Sequence, residues 1–221
     1  GKSTRAPLAF LDSDGVCVQM SAAMKQVPWD QRIARFLVRP MAATAIRPNH
    51  ITLMTLLMAL IGAGLIARGP DYAGWGAGLF VLSRFLDHFD GELARIQGTS
   101  SKLGYYLDYA VGGIGYAALF ACMGIGFYDS LGTWSLVLGG AGAASALISL
   151  FSNLEIDRKT KDTDAGEAVG YPGFAGFELE DGIYLIAPVT WLGYLEPFFV
   201  AAGIGASIYC LWTIAQAIRL R

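Results

Sequence analysis

The sequence predicts an all-α membrane protein: a bundle of six spanning helices, preceded by an amphipathic helix lying on the membrane surface. Three observations carry that expectation. The 221 residues are 54% hydrophobic and only 15% charged, with mean hydropathy +0.47, whereas a soluble domain carries about 25% charged residues. Apolar runs near the ~20 residues that a membrane helix needs recur along the chain. The basic residues fall in alternate connections between those runs, which fixes an orientation. A net charge of −2 gives no bulk basic field that would attract nucleic acid. Cys17, Cys122 and Cys210 are too far apart for a zinc or redox motif. No basic-then-apolar leader opens the chain.

Residues 1–45 read as a cytoplasmic N-terminal segment and residues 46–221 as the membrane domain. Within Leu8 to Gln19, Ser13-Asp14-Gly15 suits a tight hairpin turn, with Asp12 and Asp14 as turn residues. From 28 to 45, Trp29, Ile33, Phe36 and Leu37 form one helical stripe against polar Asp30, Arg32, Arg35 and Arg39. That pattern predicts the interfacial helix. Pro48 then opens the first span, since proline is tolerated in a helix's first turn. The apolar run continues from Ile51 to Ala67.

The second helix is expected from about Tyr72 to Arg95, with Gly74, Gly76 and Gly78 suiting close helix packing. The third spans about Lys102 to Phe127. The fourth spans about Leu131 to Ser152 and carries a small-residue seam from Gly139 to Ala146, a packing or dimer face. A polar loop over 153–178 follows. The fifth helix is expected from near Glu178 to about Leu195, and the sixth from Pro197 to about Ile218. Seven basic residues precede the first helix. Arg95 and Lys102 lie between the second and third, Arg158, Lys159 and Lys161 between the fourth and fifth, and Arg219 and Arg221 end the chain. The opposite loops hold only Arg68. Both termini and the charged second half of helix two are therefore expected in the cytoplasm, and the compact size points to a bacterial inner membrane.

That charged half is where the chemistry concentrates. Asp87 and Asp90 are three apart and share a helix face, and Asp108 comes from the next helix after a short polar loop. Buried like charges cost several kcal/mol unless neutralised. Carboxylate oxygens are the donors that Mg²⁺ and other hard divalent ions take. The residues alone thus read as a divalent-metal site at the membrane–water boundary.

The stretch Asp87–Gly112 (DHFDGELARIQGTSSKLGYYLDYAVG) also resembles the signature of the CDP-alcohol phosphotransferase family, D-x2-D-G-x2-A-R-x8-G-x3-D-x3-D. Asp87, Asp90, Gly91, Ala94, Arg95, Gly104 and Asp108 stand at the required spacing, whereas the last aspartate is replaced by Gly112. The Pro48-Asn49…Thr52 pattern resembles the start of the family's first helix, which lines its nucleotide site. The resemblance implies a six-helix bundle, a homodimer, and cleavage of a CDP-alcohol with release of CMP. The phospho-alcohol group, phosphatidyl in the reading favoured here, passes to the hydroxyl of a small polar or lipid acceptor in phospholipid synthesis. It assigns Asp87, Asp90 and Asp108 as ligands of Mg²⁺ or Mn²⁺, two ions, or one given Gly112. The same three acids, Asn49, Thr52, Gly91, Ala94, Arg95 and Gly104 would bind the nucleotide. Arg84, Lys102, Arg47 and Arg39 are the basic candidates for an anionic acceptor.

In the family the last aspartate is a metal ligand and the presumed general base, and Gly112 supplies neither. Three readings follow. Another acid replaces it, with Glu92, Glu178, Glu180 and Asp181 as candidates. Or the acceptor is already anionic and needs no strong base. Or the protein is disabled and binds CDP-alcohol or lipid without efficient turnover. An ion-coupled transporter is a further class that intramembrane acids permit, but no inverted repeat is visible and the motif favours the transferase.

Overall fold

The computed structural model describes residues 29–160 and 179–219. All the elements among those residues are helices. Helix α1 is Trp29–Val38, followed by a 3₁₀ turn at Arg39–Ala43. Helices α2 (Pro48–Ala67), α3 (Pro70–Gln97) and α4 (Lys102–Gly126) follow, then a single turn α5 (Tyr128–Leu131) and α6 (Thr133–Thr160). A 3₁₀ segment, Leu179–Leu185, leads into α7 (Ile186–Trp191), and α8 (Leu195–Arg219) ends the described chain.

The boundaries follow local chemistry. Pro48 is the first residue of α2 behind an extended Arg47, where a missing N–H costs nothing. Gly69, at φ 104°, turns the chain into Pro70, and Gly98, at φ 64°, closes α3 in the left-handed conformation that glycine adopts freely. Ser101 caps α4, its Oγ accepting the Gly104 N–H at 3.0 Å. These two caps hold the α3–α4 connection to four residues, so the helices return antiparallel and the acids of α3 meet the first turns of α4.

Helices α2, α4, α6 and α8 are long and apolar enough to cross a membrane. At 28 residues α3 is about 42 Å long, but its second half carries the charged motif. Two expectations differ from the structure. The predicted fifth helix is not one continuous span: a 3₁₀ segment runs into the six-residue α7, and Gly193, at φ 81°, ends it. The predicted loop from 153 begins instead as two further turns of α6. There Glu155 pairs with Arg158 at 2.9 Å and with Lys159 at 3.2 Å, helical spacings that stabilise a last turn. The proposed hairpin with Asp12 and Asp14, Cys17, and Glu178 lie outside the described residues.

Close backbone contact sets the site's frame. A Cβ on Gly76 would fall 2.5 Å from Gly62 O, and one on Gly62 would fall 2.8 Å from Gly76 O, so α2 and α3 touch at bare backbone. Trp191 of α7 crosses the other face of α3, over Gly74 and Gly78, and donates Nε1–H to Gly74 O at 3.1 Å. The small-residue seam of α6 packs partly inside the protein: Cβ atoms on Gly139 and Gly142 would strike Phe120 of α4, while Gly140 faces open space. The main core joins Ala59, Ile66, Phe80, Leu119, Met123 and Phe199. A second cluster joins Ala34 and Val38 of α1 to Ile51, Phe89 and Leu93. The stripe predicted to mark the apolar face of α1 is therefore turned outward: Ile33, Phe36 and Leu37 are exposed, Phe36 to 73%.

Candidate metal and nucleotide site

Asp87 and Asp90 of α3 and Asp108 of α4 each offer a carboxylate oxygen within 4.8 Å of the others. Asp87 and Asp90 are buried, and Asp108 is the member open to solvent. Two unit charges at that separation repel by roughly 3 kcal/mol at an effective dielectric of 20. The trio therefore calls for a cation, and all its donors are hard oxygens that suit Mg²⁺ or Mn²⁺.

Helix α2 supplies the first support. Thr52 and Thr55, both buried, stand one turn apart. Thr52 donates to Asp90 Oδ2, and Thr55 donates to Asp87 Oδ1 at 3.0 Å. Each hydroxyl fixes one carboxylate while leaving oxygen lone pairs for an ion. The sequence singled out Thr52 but not Thr55. Its signal was available: the same residue type recurs at helical spacing in an otherwise apolar run. The backbone contact at Gly62 and Gly76 brings α2 near enough for both bonds.

Arg84 supplies the second support. Its Nη2 lies 2.8 Å from Asp87 Oδ2, and its guanidinium sits 5.2 Å from the Tyr116 ring centroid. This residue, read as acceptor-binding, belongs to the acid cluster. The other basic candidates are placed apart from it. Arg47 lines a surface hollow of about 510 Å³ with Asn49, Gln97, Thr99 and Ser101, Lys102 is exposed at the start of α4, and Arg39 is exposed in the 3₁₀ turn.

The small motif residues open space. A Cβ on Gly104 would come 3.7 Å from Asn49 Oδ1, so two residues assigned to the nucleotide sit side by side at the starts of α2 and α4. Gly91 is exposed, and a Cβ there would meet nothing within 4 Å. Protein packing thus gives no reason for a helix-interior glycine, which costs about 1 kcal/mol against alanine. Ala94 is partly exposed beside it. Arg95 is half exposed and donates to Glu92 Oε1.

Glu92 is buried, with Arg95 on one oxygen and Arg35 Nε of α1 3.6 Å from the other. It ties α1 to α3 and is not a member of the acid trio. The side chains of Glu180 and Asp181 lie outside those described. At Gly112 a Cβ would meet only Arg84 Nη2, at 3.9 Å. A Cβ is therefore accommodated, and among the described residues no fourth carboxylate joins the cluster.

Known proteins resemble the chain in the same region. Its residues 45–169 match the family described as CDP-alcohol phosphatidyltransferase. It is 43% identical over 63 residues to the bifunctional IPC transferase and DIPP synthase of Thermococcus kodakarensis, covering 28% of this chain and 14% of that protein. It is 36% identical over 94 residues to the ceramide phosphoethanolamine synthase of Drosophila melanogaster, covering 39% and 24% respectively. The Aquifex aeolicus bifunctional IPC transferase and DIPP synthase is 22% identical over 177 residues, 80% of this chain and 40% of that protein. The chain thus spans less than half the length of these curated relatives. In fold it resembles the crystal structure of Mycobacterium tuberculosis phosphatidylinositol phosphate synthase with CDP-DAG bound. The TM-score is 0.55 at 18% identity, over 84% of this chain and 94% of that one. Because the family match runs over more than half of the residues and contains the acid trio with Gly91, Ala94, Arg95 and Gly104, this protein belongs to the CDP-alcohol phosphatidyltransferase family.

Proposed function

We propose that the protein is a divalent-metal-dependent membrane transferase. It cleaves a CDP-alcohol, passes the phospho-alcohol group to an acceptor hydroxyl and releases CMP, in phospholipid synthesis. The observation that carries this reading is the trio Asp87, Asp90 and Asp108, within 4.8 Å of one another inside the family match, with Asp87 and Asp90 fixed by Thr52, Thr55 and Arg84. A CDP-diacylglycerol donor is favoured because the fold neighbour was crystallised with CDP-DAG.

Asp87, Asp90 and Asp108 would hold Mg²⁺ or Mn²⁺, which supplies charge neutralisation at the phosphate oxygens. Three carboxylates against the Arg84 guanidinium leave a formal charge of −2, matched by one divalent ion. One ion is therefore favoured over the two expected with a fourth aspartate. Thr52 and Thr55 keep the buried carboxylates aimed at a common point. Gly91 and Gly104 let the nucleotide approach the backbone, with Asn49 beside Gly104 to meet its polar edge. Catalysis of this kind is mostly positioning and electrostatics, which a rigid pair of helices provides.

Four apolar helices make this an integral membrane protein. We place α3 as a further crossing, α7 with its 3₁₀ segment as a partial one, and the site at the cytoplasmic face. The outward stripe Ile33, Phe36 and Leu37 would rest α1 on the membrane surface. A homodimer uses the exposed part of the α6 seam.

The absence of a fourth carboxylate at Gly112 favours one second reading, a protein that binds CDP-alcohol without efficient turnover. Metal-dependent CMP release by purified protein, offered CDP-diacylglycerol and pooled acceptors, separates the two. Multiple turnovers that vanish in Asp87→Asn and Asp108→Asn support the transferase. Turnover surviving in both variants removes it, and donor binding without CMP leaves the binding protein.

A further inference from the structure

Helix α1 has three faces, and one of them meets the protein. At about 100° per residue, Ala34 and Val38 fall together, buried against Ile51, Phe89 and Leu93. Ile33, Phe36 and Leu37 fall on a second third of the circumference and are exposed. Arg35 falls on the remaining third, with Arg39 following about one turn later, and both are exposed.

The basic face belongs to a larger field. Arg47, just before α2, and Lys102, at the start of α4, are also exposed. Gln97, the last residue of α3, donates Nε2–H to Ala42 O at 3.4 Å and to Ile46 O at 3.1 Å. Those bonds tie the connection between α1 and α2 to the end of α3, so these cations gather at one end of the bundle. Among the described residues, no acid pairs with Arg39, Arg47 or Lys102. Arg35 comes no nearer than 3.6 Å to Glu92 Oε2, an oxygen that accepts no hydrogen bond among the described residues.

An apolar face beside a basic face selects an occupant. The apolar side chains suit the acyl boundary of a bilayer, while the guanidinium groups reach its headgroups. Arginine meets phosphate oxygens with a planar fork of donors. The apolar face alone would attach to any bilayer. The unpaired cations make attachment depend on lipid charge, and the cytoplasmic leaflet, where the site has been placed, is the anionic one.

We propose that α1, through Ile33, Phe36 and Leu37 and the basic field of Arg35, Arg39, Arg47 and Lys102, is a docking surface for anionic phospholipid headgroups. The occupant is the bilayer that holds the bundle. The inference rests on the placement of α1 at the membrane surface and not on turnover.

The test is amide hydrogen exchange over Ala34–Val38 in the full-length protein. Nanodiscs of phosphatidylcholine alone are compared with nanodiscs of phosphatidylcholine mixed equally with phosphatidylglycerol. Each basic residue near an anionic surface strengthens attachment about fivefold. Protection is therefore expected to be at least about tenfold higher in the anionic discs at low salt. In about 1 M salt, where the Debye length is about 3 Å, that excess should vanish. Arg39→Gln should lower the excess about fivefold and leave protection in neutral discs unchanged, whereas a merely structural role would lower both. Phe36→Ser should lower protection in both kinds of disc. Equal protection in the two discs at low salt overturns the inference, as does an excess that survives both high salt and Arg39→Gln. If lipid charge has no effect but Phe36→Ser still lowers protection, α1 stays on the membrane and only its choice of anionic lipid is overturned. The transferase reading stands or falls separately, because CMP release is not the readout.

Discussion

Gly112 faces Arg84 across open space: a Cβ built on the glycine would lie 3.9 Å from Arg84 Nη2 and meet no other side chain within 4 Å. The first side-chain atom of an aspartate fits here without a clash and points toward a guanidinium. Gly112→Asp is therefore expected to fold and to raise CMP release. A gained general base is worth about 10²–10⁴-fold. The same variant should bind a second divalent ion where the wild type binds one, measured by Mn²⁺ titration. Equal stoichiometry and equal turnover would mean that position 112 lies outside the reaction.

The acid trio should make the protein's stability depend on metal. An ion that binds only the folded form stabilises it by about 2.7 kcal/mol at a hundredfold excess over its Kd. Mn²⁺ is expected to raise the thermal midpoint of the detergent-solubilised protein, and chelation to reverse the rise. In Asp87→Asn the rise should disappear. Asp90→Asn removes one like charge without touching the Arg84–Asp87 pair, so that variant should be no less stable than the wild type without metal. A midpoint unmoved by Mn²⁺ in the wild type would argue against the site.

Thr55 tests the support beneath the trio. Thr55→Val keeps the shape and deletes the hydroxyl that bonds Asp87 Oδ1. A hydrogen bond to a charged group contributes about 1.5–3 kcal/mol. Mn²⁺ binding should weaken about tenfold or more, while Thr55→Ser should retain wild-type affinity. Equal affinity in the valine variant would show that Arg84 alone fixes Asp87.

The sequence carried the site better than the bundle's ends, for a physical reason. Asp87, Asp90, Gly91 and Arg95 share one helix, so their spacing in the chain is their spacing in space. Asp108 follows after a connection of four residues. Thr55 was harder to read, because the one hydroxyl proton of a threonine in a membrane helix normally goes to its own backbone, and here Thr52 O, 2.8 Å from the Thr55 hydroxyl, shares it with Asp87. Tyr105 donates to Asp157 across 52 residues of chain, and no local pattern links them. The end of α6 was misread because Asn153 to Thr160 look like a polar loop. Their helix depends on the Glu155 pairs and on tyrosines from another element. The fifth helix was misread because an apolar run does not reveal a 3₁₀ start or a left-handed Gly193.

Two glycines on facing helices should respond oppositely from two on open faces. Gly76→Ala places a methyl 2.5 Å from Gly62 O, which must push α2 from α3 and strain the threonine bonds to the acids. Gly64 and Gly140 have nothing within 4 Å of a Cβ. Alanine there should be neutral or stabilise by up to about 1 kcal/mol through helix propensity. Thermal midpoints of the three variants check this. A Gly76→Ala protein as stable as the wild type would exclude close α2–α3 contact.

Glu92 separates the two roles a buried acid beside the motif can have. Its carboxylate is engaged by Arg95 and approached by Arg35 of α1, and α1 otherwise holds α3 through a small patch centred on Ala34 and Val38. Removing one partner of a buried ion pair is strongly destabilising because the remaining charges lose their match. Here both arginines are more than half exposed and can turn to water, so the loss should stay local. Glu92→Gln is expected to loosen α1, read as faster amide hydrogen exchange over Ala34–Val38. CMP release should fall by less than about tenfold, because the acid trio keeps its own supports. The opposite result, unchanged exchange with turnover down about 10²-fold or more, would assign Glu92 to the chemistry as the acid that replaces the missing base.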